Sequence, residues 1–347
     1  MRKIGRILIL VLFIALLFLG LFLVLRTVPG AILYLLTPHP TETTFPPIMH
    51  ALEEVNQMNL LWSTNEVNVY WNGHNKTIDA PAGEACYLGN SGHANIVGKL
   101  VCVSSLNGAA LWINTIGEEI NVTTEGVFVN FTKPTYVRKY DLQTGDVIWT
   151  TNLSVGGATY LYTLHDQVQV LILPEVFWVL DQDGNVIRKE AGRKIFASLY
   201  GVTFVELNGL KAFQTETNSM LWEYVDSRLG EMPAFTEKRI FLRDGGLEGD
   251  AKALDLKTGR LLWTTTNIIS NVVYTPGKGQ VYALRENGDL LEIDEDSGKE
   301  NVIVKFALPF QLAQPQISAY ELAYDKENQI LIVCLGDSKQ LFAFQEK

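Results

Sequence analysis

The sequence predicts an all-β fold, a β-propeller of seven blades with eight as the alternative, preceded by one N-terminal transmembrane helix. Three observations lead there. A ten-residue hairpin unit recurs through residues 48–347, its turn returns at the pitch of a four-stranded blade, and no segment after Pro47 keeps a helical period over three turns. With 347 residues, 47% apolar and 19% charged, the chain can bury a sizeable core, which excludes wholesale disorder. Its three cysteines show neither CxxC nor CxxCH spacing, so a disulfide-stapled miniprotein, a zinc knuckle and a haem attachment site are all excluded.

Charge is unevenly placed. Arg2, Lys3, Arg6 and Arg26 precede every acidic residue, the first of which is Glu42. Residues 27–347 then carry 24 basic against 38 acidic side chains, a formal balance of −14. Such a body repels phosphate backbones, and no nucleic-acid partner is expected. Ile7 to Leu25 is an uninterrupted apolar run whose helix would span about 28 Å at 1.5 Å per residue, close to the hydrocarbon thickness. Three positive side chains ahead of it and one behind place residues 1–6 in the cytoplasm and everything after residue 26 outside. A cleaved signal peptide is the competing reading. The run is longer than the usual apolar core of such peptides, and only Val28-Pro-Gly-Ala31 offers a cleavage site, so residues 7–25 are read as an uncleaved signal anchor. Residues 26–47 follow as a juxtamembrane segment and a stalk. Thr37–Pro47 holds four prolines, which bar a helix and favour a stiff, extended chain.

The repeat is plain in two copies, Tyr140-Asp-Leu-Gln-Thr-Gly-Asp-Val-Ile-Trp149 and Leu254-Asp-Leu-Lys-Thr-Gly-Arg-Leu-Leu-Trp263. Phe213 to Trp222 keeps the frame with Asn218 for Gly, and Val103 to Trp112 keeps it without the Asp. The copies at Ile293–Gly298 and Leu180–Gly184 keep the turn and lose the Trp, while Val55–Trp62 keeps only the Leu-Leu-Trp ending. Each unit reads as a strand ending at an Asp that accepts turn N–H bonds, a Gly suited to positive φ, and a second strand ending on a Trp. One hairpin cannot bury that Trp alone, whereas stacking on the next unit does. The turn positions 108, 145, 184, 218, 259 and 298 stand 34 to 41 residues apart, one blade each. Strands entering and leaving the turns number seven apiece when Leu341–Phe344 and Leu60–Trp62 are included. Those two, each lacking its own partner, are expected to pair and close the ring.

The unit resembles the tryptophan-docking repeat of the pyrroloquinoline-quinone-like propeller family. Ala253, Asp255, Thr258, Gly259 and Trp263 match that family's frame in full; Asp141, Gly145 and Trp149 match it in part, and Trp112 and Trp222 hold its docking position. The resemblance covers residues 48–347 and implies the fold. In the family's dehydrogenases it implies an axial quinone beside calcium, an Asp base and often adjacent cysteines. Here the cysteines are 86, 102 and 334, so no cofactor is expected. In its other branch, which includes a lipoprotein subunit of outer-membrane protein assembly, it implies a non-catalytic platform.

Other candidates carry less. Asp181-Gln-Asp-Gly184 lacks the spacing of an EF-hand calcium loop and reads as a blade turn. Asp244, Glu248 and Asp250 on a Gly-rich loop are the one candidate for a hard cation, against a plain solvated loop. The five histidines show no ligand spacing, and no nucleophile elbow, metalloprotease or phosphate-loop motif occurs. Cys86 and Cys102 flank a hairpin-like stretch in the outer compartment; a bridge and two free thiols both remain open, and a bridge would be worth about 3 kcal/mol. Trp71 and Trp178 fall outside the repeat frame, and Trp71 is the candidate aromatic for a ligand. The function expected is therefore that of a membrane-anchored, extracytoplasmic, non-catalytic platform for envelope or membrane proteins. A membrane-tethered quinoprotein dehydrogenase and an ion or small-ligand sensor are the alternatives.

Overall fold

A computed structural model describes residues 52–55, 58–64, 78–80, 83–89, 99–115, 119–132, 135–153, 159–164, 167–172, 176–191, 195–206, 209–225, 233–244, 249–308, 320–335 and 340–347, all within one unit, Ile48–Lys347. The apolar run 7–25, the stalk and Trp71 lie outside the described residues. Among the described residues no helix is long and apolar enough to cross a membrane.

Among the described residues, β1 (Leu52–Val55) and β2 (Met58–Thr64) come first. Four-stranded antiparallel sheets then follow in chain order. The first holds β3 (Ile78–Asp79), β4 (Glu84–Gly89), β5 (Lys99–Ser104) and β6 (Ala110–Thr115). The second holds β7 (Glu119–Thr123), β8 (Gly126–Thr132), β9 (Thr135–Tyr140) and β10 (Val147–Asn152). β11 (Thr159–Leu164), β12 (Gln167–Ile172), β13 (Val176–Leu180) and β14 (Val186–Ala191) make the third. The fourth is β15 (Ile195–Leu199), β16 (Val202–Glu206), β17 (Leu210–Gln214) and β18 (Met220–Tyr224). The fifth is β19 (Ala234–Phe235), β20 (Arg239–Arg243), β21 (Gly249–Asp255) and β22 (Leu261–Ile268). β23 (Val273–Thr275), β24 (Gln280–Leu284), β25 (Asp289–Asp294) and β26 (Glu300–Phe306) form the sixth, to which β1 adds a fifth strand. Finally β27 (Tyr320–Asp325), β28 (Ile330–Leu335) and β29 (Gln340–Glu346) take β2 as their fourth strand. The architecture is a β-propeller, with the apolar core lying between consecutive sheets.

The pairing of β29 with β2 sets Phe344 opposite Leu60 and Ala343 opposite Trp62, so the last strand of the chain meets one of the first. β1 answers to no repeat position. It lies antiparallel on β26, Val55 opposite Val304, and shares only Val55 with the degenerate copy Val55–Trp62.

One contact recurs at the joints. The indole Nε1 of Trp62 donates to Ser105 O (2.6 Å), Trp112 to Leu142 O (2.8 Å), Trp149 to Gln182 O (2.8 Å), Trp222 to Leu256 O (3.2 Å) and Trp263 to Glu295 O (3.0 Å). Every acceptor belongs to the hairpin turn of the following sheet. Each ring lies flat against that turn's glycine: a Cβ on Gly108, Gly145, Gly184, Gly259 or Gly298 would come within 2.5–2.8 Å of the indole. These glycines also sit at φ of 67–81°, where side-chain-bearing residues are strained. The turn glycine therefore serves two needs, its own backbone and the neighbour's indole.

The second strand of each unit does not end on its Trp. It runs on, to Thr115, Asn152, Tyr224 and Ile268, because a register shift just before the Trp inserts a bulge that re-aims the indole at the next sheet. On the partner strand the residue opposite the indole is Ala212, Ala253 or Ala343 in three copies, small enough to let the ring lie down.

Two copies lack the Trp, and each lack has a counterpart in the sheet that follows. Arg188 holds the bulged Trp position on β14, and the next turn carries Asn218 at φ 53° where the others carry Gly. With no indole to admit, a left-handed Asn suffices. Val302 holds the Trp position on β26, and the next sheet has no turn there, because β29 and β2 are joined by hydrogen bonds rather than by chain. Apolar clusters link consecutive sheets around the molecule, but among the described residues none spans the β11–β14 and β15–β18 sheets.

Gly145→Ala is expected to lower the unfolding free energy by about 2–4 kcal/mol, the sum of left-handed strain and overpacking against Trp112. Asn218→Gly should change it by less than about 1 kcal/mol. Urea unfolding monitored by tryptophan fluorescence measures both.

Candidate interaction surface

The turns are held by their aspartates. Asp141 Oδ1 accepts from the N–H of Gln143 (2.9 Å) and Thr144 (2.8 Å), and Asp255 Oδ1 from Thr258 N (2.9 Å) and Thr258 Oγ1 (2.7 Å). Asp294 makes the same pair with Ser297, and Asp181 takes the N–H of Asp183 and Asn185. Hydrogen bonding to the charged form holds all four below the ordinary Asp value of 3.8. The leading donor is the Thr144 backbone for Asp141, the Asn185 side chain for Asp181, the Thr258 side chain for Asp255 and the Ser297 side chain for Asp294. Their contribution to stability is present above pH 3.8 and is lost as pH falls through the depressed folded values.

Outside the turns, the outermost strands form an apolar, largely uncharged wall. β2, β6, β10 and β22 contain no charged residue at all, and β18 contains one, Glu223. Leu60, Leu111, Ile113 (59% exposed), Val147, Ile148 (52%), Met220, Leu221 and Leu261 face solvent from these strands. Natural sheets usually blunt such edges with charge, proline or a covering element. Here, among the described residues, only β26 is covered, by β1. The hairpin tip between β15 and β16 adds Tyr200, left-handed at φ 53° and 66% exposed.

Cys86 and Cys102 stand opposite one another on β4 and β5 with Cα atoms 4.1 Å apart, joined in a disulfide that is fully buried beneath Trp112. Cys334 is a buried free thiol on β28. Asp244 is engaged on both oxygens, by the Lys252 ammonium (2.8 Å) and by the Asp250 backbone N–H; Glu248 lies outside the described residues. Among the described residues no group of three His, Cys, Asp or Glu is arranged to hold a metal ion. Trp178 packs under the Lys189 ammonium, 4.4 Å from its ring centroid.

Sequence reasoning missed the joint between the last sheet and the first. Asp325, fully buried at the end of β27, accepts from Ser105 Oγ (2.5 Å), Gly83 N (3.1 Å), Glu327 N (2.9 Å), Asn328 N (3.2 Å) and Asn328 Nδ2 (2.9 Å). Ser105 and Gly83 belong to the first four-stranded sheet, so one carboxyl group clamps the two ends of the fold beside the Trp62 dock. The only sequence signal was an Asp-Lys-Glu-Asn turn lacking both Gly and Trp.

A family model described as outer membrane protein assembly factor BamB matches residues 97–313. The chain belongs to that family. No curated protein matches the sequence. Among solved structures, BamB from Moraxella catarrhalis is similar, with 13% identity, a TM-score of 0.48, and coverage of 84% of this chain and 98% of that one. Four docking tryptophans of this BamB-family propeller, Trp112, Trp149, Trp222 and Trp263, fall within the matched stretch. Trp62 and the two opening strands precede it.

At the BamB-family propeller's closing joint, Glu84 is raised above its ordinary value of 4.5, first by desolvation and then by the charges of Asp325, Glu327 and Asp141. A raised carboxyl favours the fold below its unfolded value and loses that contribution as pH rises through the folded one. Glu84→Gln is therefore expected to raise Tm at pH 7 by about 1–2 °C, discounted for partial exposure, and to make no difference at pH 4. Thermal melts of both proteins at the two pH values check the sign; a lower Tm for the variant at pH 7 would refute it.

Proposed function

We propose that the protein is a non-catalytic platform for protein partners, held at a membrane by residues 7–25 with its propeller outside the cytoplasm. One observation carries the reading: outermost strands that are apolar, mostly uncharged and, β26 apart, uncovered among the described residues. Family membership supports it, since the family is named for an assembly factor, a task of binding rather than of chemistry. We take the seven sheets as seven blades of one closed ring. This is supported by the β2–β29 pairing, by the Asp325 clamp and by the run of docks from sheet to sheet. The basic residues before the apolar run and the acidic body after it support the orientation. The partners fitting such a wall are proteins of the envelope or of a membrane complex.

Photo-cross-linkers placed singly at Leu111, Ile148 and Leu221 of the full-length protein in its native membrane test this. A protein captured reproducibly from the outer strands at near-stoichiometric yield is the expected result. No adduct from any of the three positions, across cross-linkers of several lengths, would overturn the platform reading.

A further inference from the structure

The outermost strands differ in one respect. β14 alone carries net positive charge: Val186-Ile-Arg-Lys-Glu-Ala191 holds two basic residues and one acidic, whereas β2, β6, β10 and β22 hold none, β18 holds one Glu, and Glu300 and Lys305 balance on β26. The contrast is sharper against a body of formal charge −14. β14 is the last strand of its sheet, paired only to β13 among the described residues, and Val186, Ile187 (52%), Arg188 and Lys189 are all exposed. Lys189 is held to the sheet by Trp178, opposite it on β13, which restricts where its ammonium can lie. Arg188 stands where every complete repeat places the indole that docks on the next sheet.

The same molecule shows what such an edge accepts. β1, Leu52-Glu-Glu-Val55, is a short extended segment, apolar at both ends and acidic between. It lies antiparallel on the outermost strand β26 with Glu54 opposite Lys305 in the register. An edge paired on one side only among the described residues, with apolar and basic side chains, suits a strand of that composition.

We propose that β14 is a docking edge for an acidic, extended segment of a partner protein, which adds to it as an antiparallel fifth strand. The proposal rests on the platform reading and names the partner's chemistry. Main-chain hydrogen bonds to β14 supply the pairing, Val186 and Ile187 receive alternate apolar side chains, and Arg188 and Lys189 select carboxylates over basic residues.

The test uses the full-length protein and a fluorescein-labelled nine-residue probe in which Glu alternates with Val, read by anisotropy. Two control probes have Lys in place of Glu, or N-methylation at alternate central residues to block strand pairing. The acidic probe is expected to bind, the controls to bind at least about tenfold more weakly, and added salt to weaken the acidic probe. R188E/K189E should lower its affinity by about tenfold or more, with R188Q/K189Q between. Circular dichroism of the variants confirms that they are folded. A photo-cross-linker at Ile187 should capture the probe, and one at Ile148 on β10 should not. Absence of binding, equal binding of the Lys probe, indifference to R188E/K189E, or capture at Ile148 instead would each overturn the β14 assignment. These outcomes leave the platform reading to its own test, since partner capture from β6, β10 or β18 does not depend on β14.

Discussion

Five joints of this propeller depend on how one indole meets one glycine. A hairpin cannot bury a Trp that points off its own sheet, and an indole can lie flat on a turn only if the turn residue lacks a Cβ. Five tryptophans and five glycines satisfy each other in this way, each pair joining a sheet to its successor. The bulge ahead of the Trp and the alanines opposite it serve the same contact. The aspartate of the turn holds the glycine where the indole needs it, through two or more hydrogen bonds to turn residues.

The exceptions support this account. Asn218 can carry a Cβ at its turn because Arg188, and not a Trp, holds the docking position one sheet earlier. Val302 has no indole because the joint beyond it is made without a turn. The last sheet is completed instead by strand pairing of β2 on β29, and its joint to the first sheet adds to the Trp62 dock a buried carboxyl group receiving five donors. The repeat residues are spent on the joints between sheets, and the outermost strands are left exposed. It is on these strands that β14 departs from its neighbours in charge.

Much of this was legible in the residues. The Asp–Gly–Trp frame and its pitch were enough to expect an all-β repeat, to place each hairpin turn, and to pair Leu341–Phe344 with Leu60–Trp62. Local periodicity carries that information because a strand shows its faces every second residue and a turn shows its glycine. β1 was not legible: four residues with no partner nearby in sequence have no pattern of their own, and their pairing with β26 spans most of the chain. Asp325 was invisible for the same reason, since its role lies in what meets it from the other end of the fold. The substitutions at 188 and 218 were each visible. Their connection was not, because it runs from one sheet to the next.

A double-mutant cycle at that connection tests the central claim most directly. Arg188→Trp supplies the missing indole and Asn218→Gly removes the Cβ that would obstruct it, so urea unfolding of wild type, both singles and the double isolates the dock itself. The account predicts that neither single stabilises the protein and that the double is more stable than additivity allows by at least about 1 kcal/mol. Strictly additive effects would show that indole and glycine do not act as a pair, and would contradict the account.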